Sequence, residues 1–138
     1  MKPFTKLLYL IIVLIIAGII AGVYMFNKPQ KDLNRQKADF VLTASELHKE
    51  FTADEPAANL KYIGKTIEIT GKITSVNIEK EKAVSIILET SDKASSVICT
   101  FRQSMDPREI NTMKPATVRG ELSGFLMDVL LNNCVLVK

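Results

Sequence analysis

The chain has 138 residues, a formal net charge of +3, one histidine, two cysteines and no tryptophan. That length leaves room for one small domain beside an N-terminal apolar segment. A single histidine excludes a histidine-built metal cluster, and the near-balance of charge beyond the apolar segment argues against the clustered basic face of a nucleic-acid binder.

Leu7 to Phe26, LLYLIIVLIIAGIIAGVYMF, is uninterrupted apolar chain. As a helix it would span roughly 30 Å, the hydrocarbon thickness of a bilayer. Tyr9 and Tyr24 sit near its ends, where interfacial aromatics belong. A cleaved signal peptide would carry an apolar region of only about 7–15 residues and a small-residue cleavage site. Ala21 is a poor one, because the run continues through Val23, Tyr24, Met25 and Phe26. No cysteine lies at the end of the run, which excludes lipoprotein-type cleavage. Residues 1–26 are therefore expected to be a retained transmembrane anchor, a single pass that holds the chain to the membrane through residues 7–26.

Lys2 and Lys6 flank one side of the run; Lys28, Lys31, Arg35 and Lys37 flank the other. A plain count would keep the domain in the cytoplasm. A short basic tail before an apolar run is also the layout of a secretory start, and we expect an extracytoplasmic domain. Gly18 and Gly22 form a G-x-x-x-G pair, widened by Ala17 and Ala21. Such a face lets two helices approach closely and would make a homodimer through the anchor. Glycine is also simply common in membrane helices, and both readings stand.

Residues 27–39 are polar, contain Pro29, lack periodicity and read as a linker, partly helical near Leu33. Residues 40–138 read as the folded domain. Thr43-Ala-Ser-Glu46 is a capping box, with Leu42 and Leu47 placed as a hydrophobic staple. A helix over 44–51 follows. Asp54, with Pro56 in the first turn, caps a second short helix that Gly64 ends.

Lys65 to Ile78 reads as one long strand. Ile67, Ile69, Gly71 and Ile73 share a face at period two; then the apolar phase slips, since Val76 and Ile78 keep parity with the polar set. A bulge or sharp coil near Gly71 would absorb the slip. Glu79 to Lys82 is a charged, solvated turn. Val84, Ile86 and Leu88 mark a second strand, and Ser91-Asp92-Lys93 a turn. Val97, Cys99 and Phe101 mark the inner face of a third strand, with Ile98, Thr100 and Arg102 outside. Asp106 and Pro107 start a short helix that ends before Pro115. Ala116, Val118, Gly120 and Leu122 form a fourth strand, and Val129 to Val137 a fifth.

Three strands, a short helix and two strands is the element order of an OB-fold, a five-stranded Greek-key barrel. The fold class expected is mainly β: that barrel, preceded by short helices and an N-terminal transmembrane helix.

The chain from about Ala38 to Val137 resembles the tRNA-anticodon-binding-like OB-fold family of small bacterial membrane proteins and lipoproteins. The resemblance rests on Thr43-Ala-Ser-Glu-Leu47, Asn59-Leu-Lys-Tyr-Ile-Gly-Lys65, Ile69-Thr-Gly71, Val97-Ile-Cys-Thr-Phe101, Val118-Arg-Gly120 and Asp128-Val-Leu-Leu-Asn-Asn-Cys134. It implies the fold. No functional site comes with it, and this chain departs from the lipoprotein relatives in lacking a lipid-attachment cysteine.

No catalytic constellation emerges. His48 reads as a solvated or half-buried helix residue, and no nucleophile elbow or phosphate loop is present. Glu68, Glu89 and Asp128 read as ordinary solvent-face carboxylates, and Asn132 and Asn133 as structural hydrogen-bonding groups. No metal and no cofactor are expected. Cys99 and Cys134 lie in the third and fifth strands, which an OB barrel sets side by side. A disulfide and a pair of buried free thiols are equally open. The expected function is a membrane-anchored, non-enzymatic, extracytoplasmic binding or interaction module with a protein partner. The alternatives are a structural accessory subunit of an envelope complex and a single-stranded nucleic-acid-binding OB domain. The last is disfavoured because Phe101, the one aromatic on the second and third strands, points inward by parity, so no stacking platform forms.

Overall fold

The computed structural model describes residues 3–27, 32–78, 80, 83–102 and 105–137. The chain divides into two compact units, Met1–Lys31 and Asp32–Lys138, each taken by itself below. Lys2, Lys28, Pro29 and Lys31 lie outside the described residues, as does most of the charged turn expected at 79–82.

The first unit is one helix, α1, Pro3–Phe26. With a mean hydropathy of 2.8 and no side chain buried within the chain, it is long and apolar enough to cross a membrane. A signal sequence meets the same two criteria.

The second unit is β-rich. Its elements are β1 (Phe40–Thr43), α2 (Ala44–Ala53), α3 (Glu55–Tyr62), β2 (Thr66–Gly71), β3 (Ile73–Ile78), β4 (Val84–Glu89), β5 (Ser96–Phe101), β6 (Ala116–Leu126) and β7 (Asp128–Leu136). One mixed sheet holds all seven strands in the order β1-β2-β6-β7-β5-β4-β3. Five strands were expected; two causes account for the difference. The long first strand breaks at Lys72 into β2 and β3. The Phe40–Thr43 segment, read from sequence as the approach to a helix, pairs in parallel with β2, Phe40 opposite Ile67. Asp39 fixes that pairing: its N–H donates to the Thr66 carbonyl at 2.7 Å and its carboxylate accepts from the Thr66 N–H at 2.9 Å.

The break at Lys72 has a topological consequence. Gly71 pairs with Ala116 on β6, while two residues on Ile73 pairs with Leu88 on β4. One stretch of chain thus hydrogen-bonds to both neighbours, and Lys72 bridges the change by accepting from the Glu89 N–H at 2.8 Å. Gly71 sits where a Cβ would lie 3.1 Å from Ala44 and 3.2 Å from Leu88, so its place is set by close approach. The phase slip itself falls slightly later. Register shifts between Ile73 and Ser75, and the extra residue turns Val76 back toward the core.

The core alternates as strands require. Ile67, Ile69, Ile86, Leu88, Val97, Cys99, Val118, Leu122, Val129 and Leu131 are buried, joined by Leu47, Phe51 and Tyr62 from the helices. The capping box at α2 forms: Thr43 Oγ1 accepts from the Glu46 N–H at 3.2 Å and Glu46 Oε2 accepts from the Thr43 N–H at 2.8 Å. Asp54 caps α3 through the Ala57 N–H at 3.1 Å. The helix expected after Asp106 is only a three-residue 3-10 turn, Pro107–Glu109. Ile110 is the one buried apolar side chain there, so no apolar face exists to hold a longer helix against the sheet.

Glu50 ties α2 to α3. Its Oε2 accepts from Lys61 Nζ at 2.9 Å and from Tyr62 Oη at 2.8 Å. The Lys61 hydrogen bond, and then that from Tyr62, hold the Glu50 carboxyl below its ordinary value. A depressed folded value stabilises the fold above the unfolded value of about 4.3 and loses that contribution as pH falls through the folded value. Glu50→Gln should therefore lower stability modestly at pH 7, by under about 1 kcal/mol for so exposed a pair. The gap from the parent should close as pH falls through the folded value. Urea melts at pH 7 and in acid read this directly, and a gap that persists in acid would remove the ionic role.

Candidate functional site

The bulges that bend the sheet also build a concavity at one end of it. Inward parity along β6 runs Val118, Gly120, Leu122. Register then shifts between Leu122 and Gly124, so Phe125, opposite Val129, turns in and Leu126 turns out. The Phe125 ring stacks on Phe51 of α2 with centroids 5.1 Å apart and lies 6.2 Å from the His48 ring. Leu126 and Met127, at the tip of the β6–β7 hairpin, are 79% and 73% exposed. Met127 holds φ at +71°, a region in which a side chain other than glycine or asparagine is strained by roughly 1–2 kcal/mol.

Between that tip, α2 and the β4–β5 turn lies a cleft of about 640 Å³, within the size range of ligand pockets. Phe125, Leu126, Met127 and Ala94 give it an apolar wall; Glu55 and Asp92 stand among its polar residues. His48 is buried, contrary to the sequence expectation, and its Nε2 meets Ser95 Oγ at 2.6 Å. A serine beside a histidine invites comparison with a nucleophile and base. Two amides of the turn are engaged within it. Asp92 accepts from the Ala94 N–H through its side chain at 3.0 Å and from the Ser95 N–H through its carbonyl at 3.3 Å.

None of these residues was singled out from sequence as a site. The available signal was Phe125-Leu-Met127, three large apolar residues in succession where a strand should alternate. Of the carboxylates read as solvent-facing, Glu89 is exposed as expected, whereas Glu68 and Asp128 are half-buried in structural contacts. Glu68 pairs with Arg119 at 2.8 Å, Glu89 with Lys72 at 3.7 Å, and Asp128 accepts from the N–H and Oγ of Ser96 at 2.7 and 2.9 Å. Asn133 takes φ of +54°, which asparagine tolerates.

Cys99 and Cys134 come together. Both are buried free thiols on the neighbouring parallel strands β5 and β7, with Cys134 opposite Phe101. Hydrogen bonding with Cys99, then burial, pushes the Cys134 thiol up, so it stays protonated at neutral pH. Neither thiol should react with a water-soluble maleimide in the folded chain. After unfolding without reductant, uptake of two alkyl groups by protein taken from its native membrane, read by mass spectrometry, would mean a dithiol. No uptake would mean the disulfide that an oxidising compartment favours. Rapid labelling of the folded chain would contradict the packing. Gly18 and Gly22 lie on α1 with nothing within 4 Å of an added Cβ. Among the described residues no group of His, Cys, Asp or Glu is arranged to hold a metal ion.

A family model named tRNA_anti-like matches residues 1–136. None of the curated proteins matches the chain. Among solved structures, a lipoprotein from Klebsiella pneumoniae subsp. pneumoniae, provisionally described as nucleic acid-binding, superposes with a TM-score of 0.59. The match has 18% identity and covers 80% of this chain and 100% of that one; at that distance it shows a shared fold. A provisionally assigned aspartyl-tRNA synthetase from Leishmania major gives a TM-score of 0.37 at 14% identity, over 88% of this chain and 26% of that one. A likeness so low carries no argument.

Proposed function

The chain belongs to the tRNA_anti-like family, and from that premise we propose that it is a membrane-anchored binding module. Its α1 helix is retained as a single-pass anchor. Its second unit is an OB-type barrel, with β2 and β3 as the two halves of a broken first strand, displayed outside the cytoplasm. The protein partner is held at the His48–Phe125 cleft, and no chemistry is performed on it. The observation that carries this reading is the hairpin tip. Leu126 and Met127 are large, apolar and exposed, and Met127 is held in a strained backbone conformation beside a preformed cleft. Strain of this kind persists where the surrounding structure enforces it, and it clusters at functional sites. A pull-down from membranes with the intact anchor tests the reading. The parent should retain a protein that a Leu126→Asp/Met127→Asp variant loses; identical recoveries would sink it.

The Klebsiella lipoprotein's description suggests nucleic acid as the alternative. Several observations weigh against it. Single-strand binders combine a basic groove with exposed aromatics. In the second unit the described aromatics are buried or half-buried. The outward face of β4 and β5 carries Ser85, Ile87, Ile98 and Thr100, two of them joined by a 3.3 Å hydroxyl contact between Ser85 and Thr100. Full-length chain in detergent should therefore leave the fluorescence anisotropy of a single-stranded oligonucleotide unchanged at physiological salt. Micromolar, salt-dependent binding would put the nucleic-acid reading first.

A further inference from the structure

The polar groups of the cleft are not alike. His48 Nε2 and Ser95 Oγ are paired with one another in the wall. Glu55 and Asp92 differ. Neither enters an ion pair among the described residues, whereas Glu50, Glu68 and Glu89 all do. No lysine or arginine lines the cleft. An apolar seat thus lies beside two carboxylates that form no ion pair among the described residues, with Lys93 the one cation on the adjoining turn. Such a field repels phosphates and an anionic membrane surface alike, and attracts cations.

We infer that the cleft takes a basic, apolar peptide segment of a protein partner. One leucine-like or aromatic side chain rests on Phe125, inside the Leu126–Met127 lip, and flanking lysine or arginine heads reach Glu55 and Asp92. Lysine and arginine suit both surfaces, because their stems cover apolar area while their heads stay in water. This inference rests on the cleft reading above and names the chemistry of the partner.

Its test uses full-length chain in nanodiscs of zwitterionic lipid and a displayed library of nine-residue peptides with a fixed central leucine and random flanks. Lysine and arginine should be enriched at least about threefold over aspartate and glutamate in the retained peptides. A retained peptide should bind about fivefold or more weakly to an E55Q/D92N variant, the scale expected for two rim ion pairs. The asparagine can still accept from the Ala94 N–H. Should that variant not fold, the parent supplies the same information, since affinity should fall as salt rises from 50 to 500 mM. No retained peptide, flanks without charge preference, or affinity indifferent to both the variant and salt would overturn the inference. The pull-down with the lip variant would still stand or fall separately. A Met127→Trp reporter covers the remaining occupant, because the chain has no other tryptophan. Its fluorescence should shift on adding peptide and be untouched by brominated lipid. Quenching by brominated lipid would assign the lip to the bilayer and overturn the inference.

Discussion

Gly120→Ala is expected to lower the melting temperature of the full-length chain in detergent by roughly 10–20 °C. A Cβ at residue 120 would lie 2.5 Å from Cys134 Sγ, 3.1 Å from Leu131 Cδ2 and 3.2 Å from Leu131 Cβ. The first distance is below any tolerable contact, and Leu131 Cβ moves only with its backbone. Leu131 and Cys134 are themselves buried, at 0% and 2% exposure, in the same core cluster. Overpacking of this kind costs typically 1–3 kcal/mol, here toward the upper end, and about 1 kcal/mol moves a domain of this size by roughly 4–8 °C. The cause is checked by a second substitution. Cys134→Ala removes the sulfur that the new methyl meets, so the double variant should be more stable than the sum of the single effects implies. Additive losses, or a Gly120→Ala melt like the parent, would show that β6 and β7 do not pack so closely.

Arg119→Met is the other large effect. The guanidinium donates to Glu68 Oε2 through Nη2 at 2.8 Å and Nε at 3.3 Å. Through Nη1 it donates to the Leu33 carbonyl at 3.0 Å and the Gln36 carbonyl at 2.8 Å. The two ionic side chains are 17% and 20% exposed. Methionine would fill much of the volume but leave one carboxylate and two carbonyls without these donors. The loss should be about 2–4 kcal/mol, toward the lower figure because water still reaches the pair. Lysine should not restore it, since an ammonium lacks the planar fork that serves four contacts at once. A Glu68→Gln/Arg119→Met double variant should recover part of the loss by removing the orphaned charge. The same substitution should open residues 32–39 to limited proteolysis, because Arg119 holds both Leu33 and Gln36. Wild-type stability in Arg119→Met, or protection of that segment, would remove this role.

These two sites mark what could and could not be read beforehand. Period-two alternation placed Val118, Gly120 and Leu122 on the inner face, and the lost parity after Ile73 announced a bulge. The capping box at Thr43 was visible because both partners lie within four residues. Contacts that depend on distant chain were not visible. Phe40–Thr43 is a strand only because β2 offers it an edge, and Leu33 is buried in a segment whose polar composition read as linker. His48 gave no sign of burial, since its partner Ser95 is 47 residues away. At the cleft, the second register shift inverted the expected parity of β6. That inversion put Phe125 inside and left Leu126 exposed, and sequence periodicity has no means of locating it beyond the run of three apolar residues.

The proposed function places a protein partner at the cleft lip and no nucleic acid on the outer sheet face. Site-specific photocrosslinking in native membranes tests it most directly, with the photoreactive side chain placed at position 126 or at position 98 on the outward face of β5. A protein adduct at position 126 and none at position 98 is the result predicted here. A nuclease-sensitive adduct at position 98, with position 126 unreactive, would contradict the account.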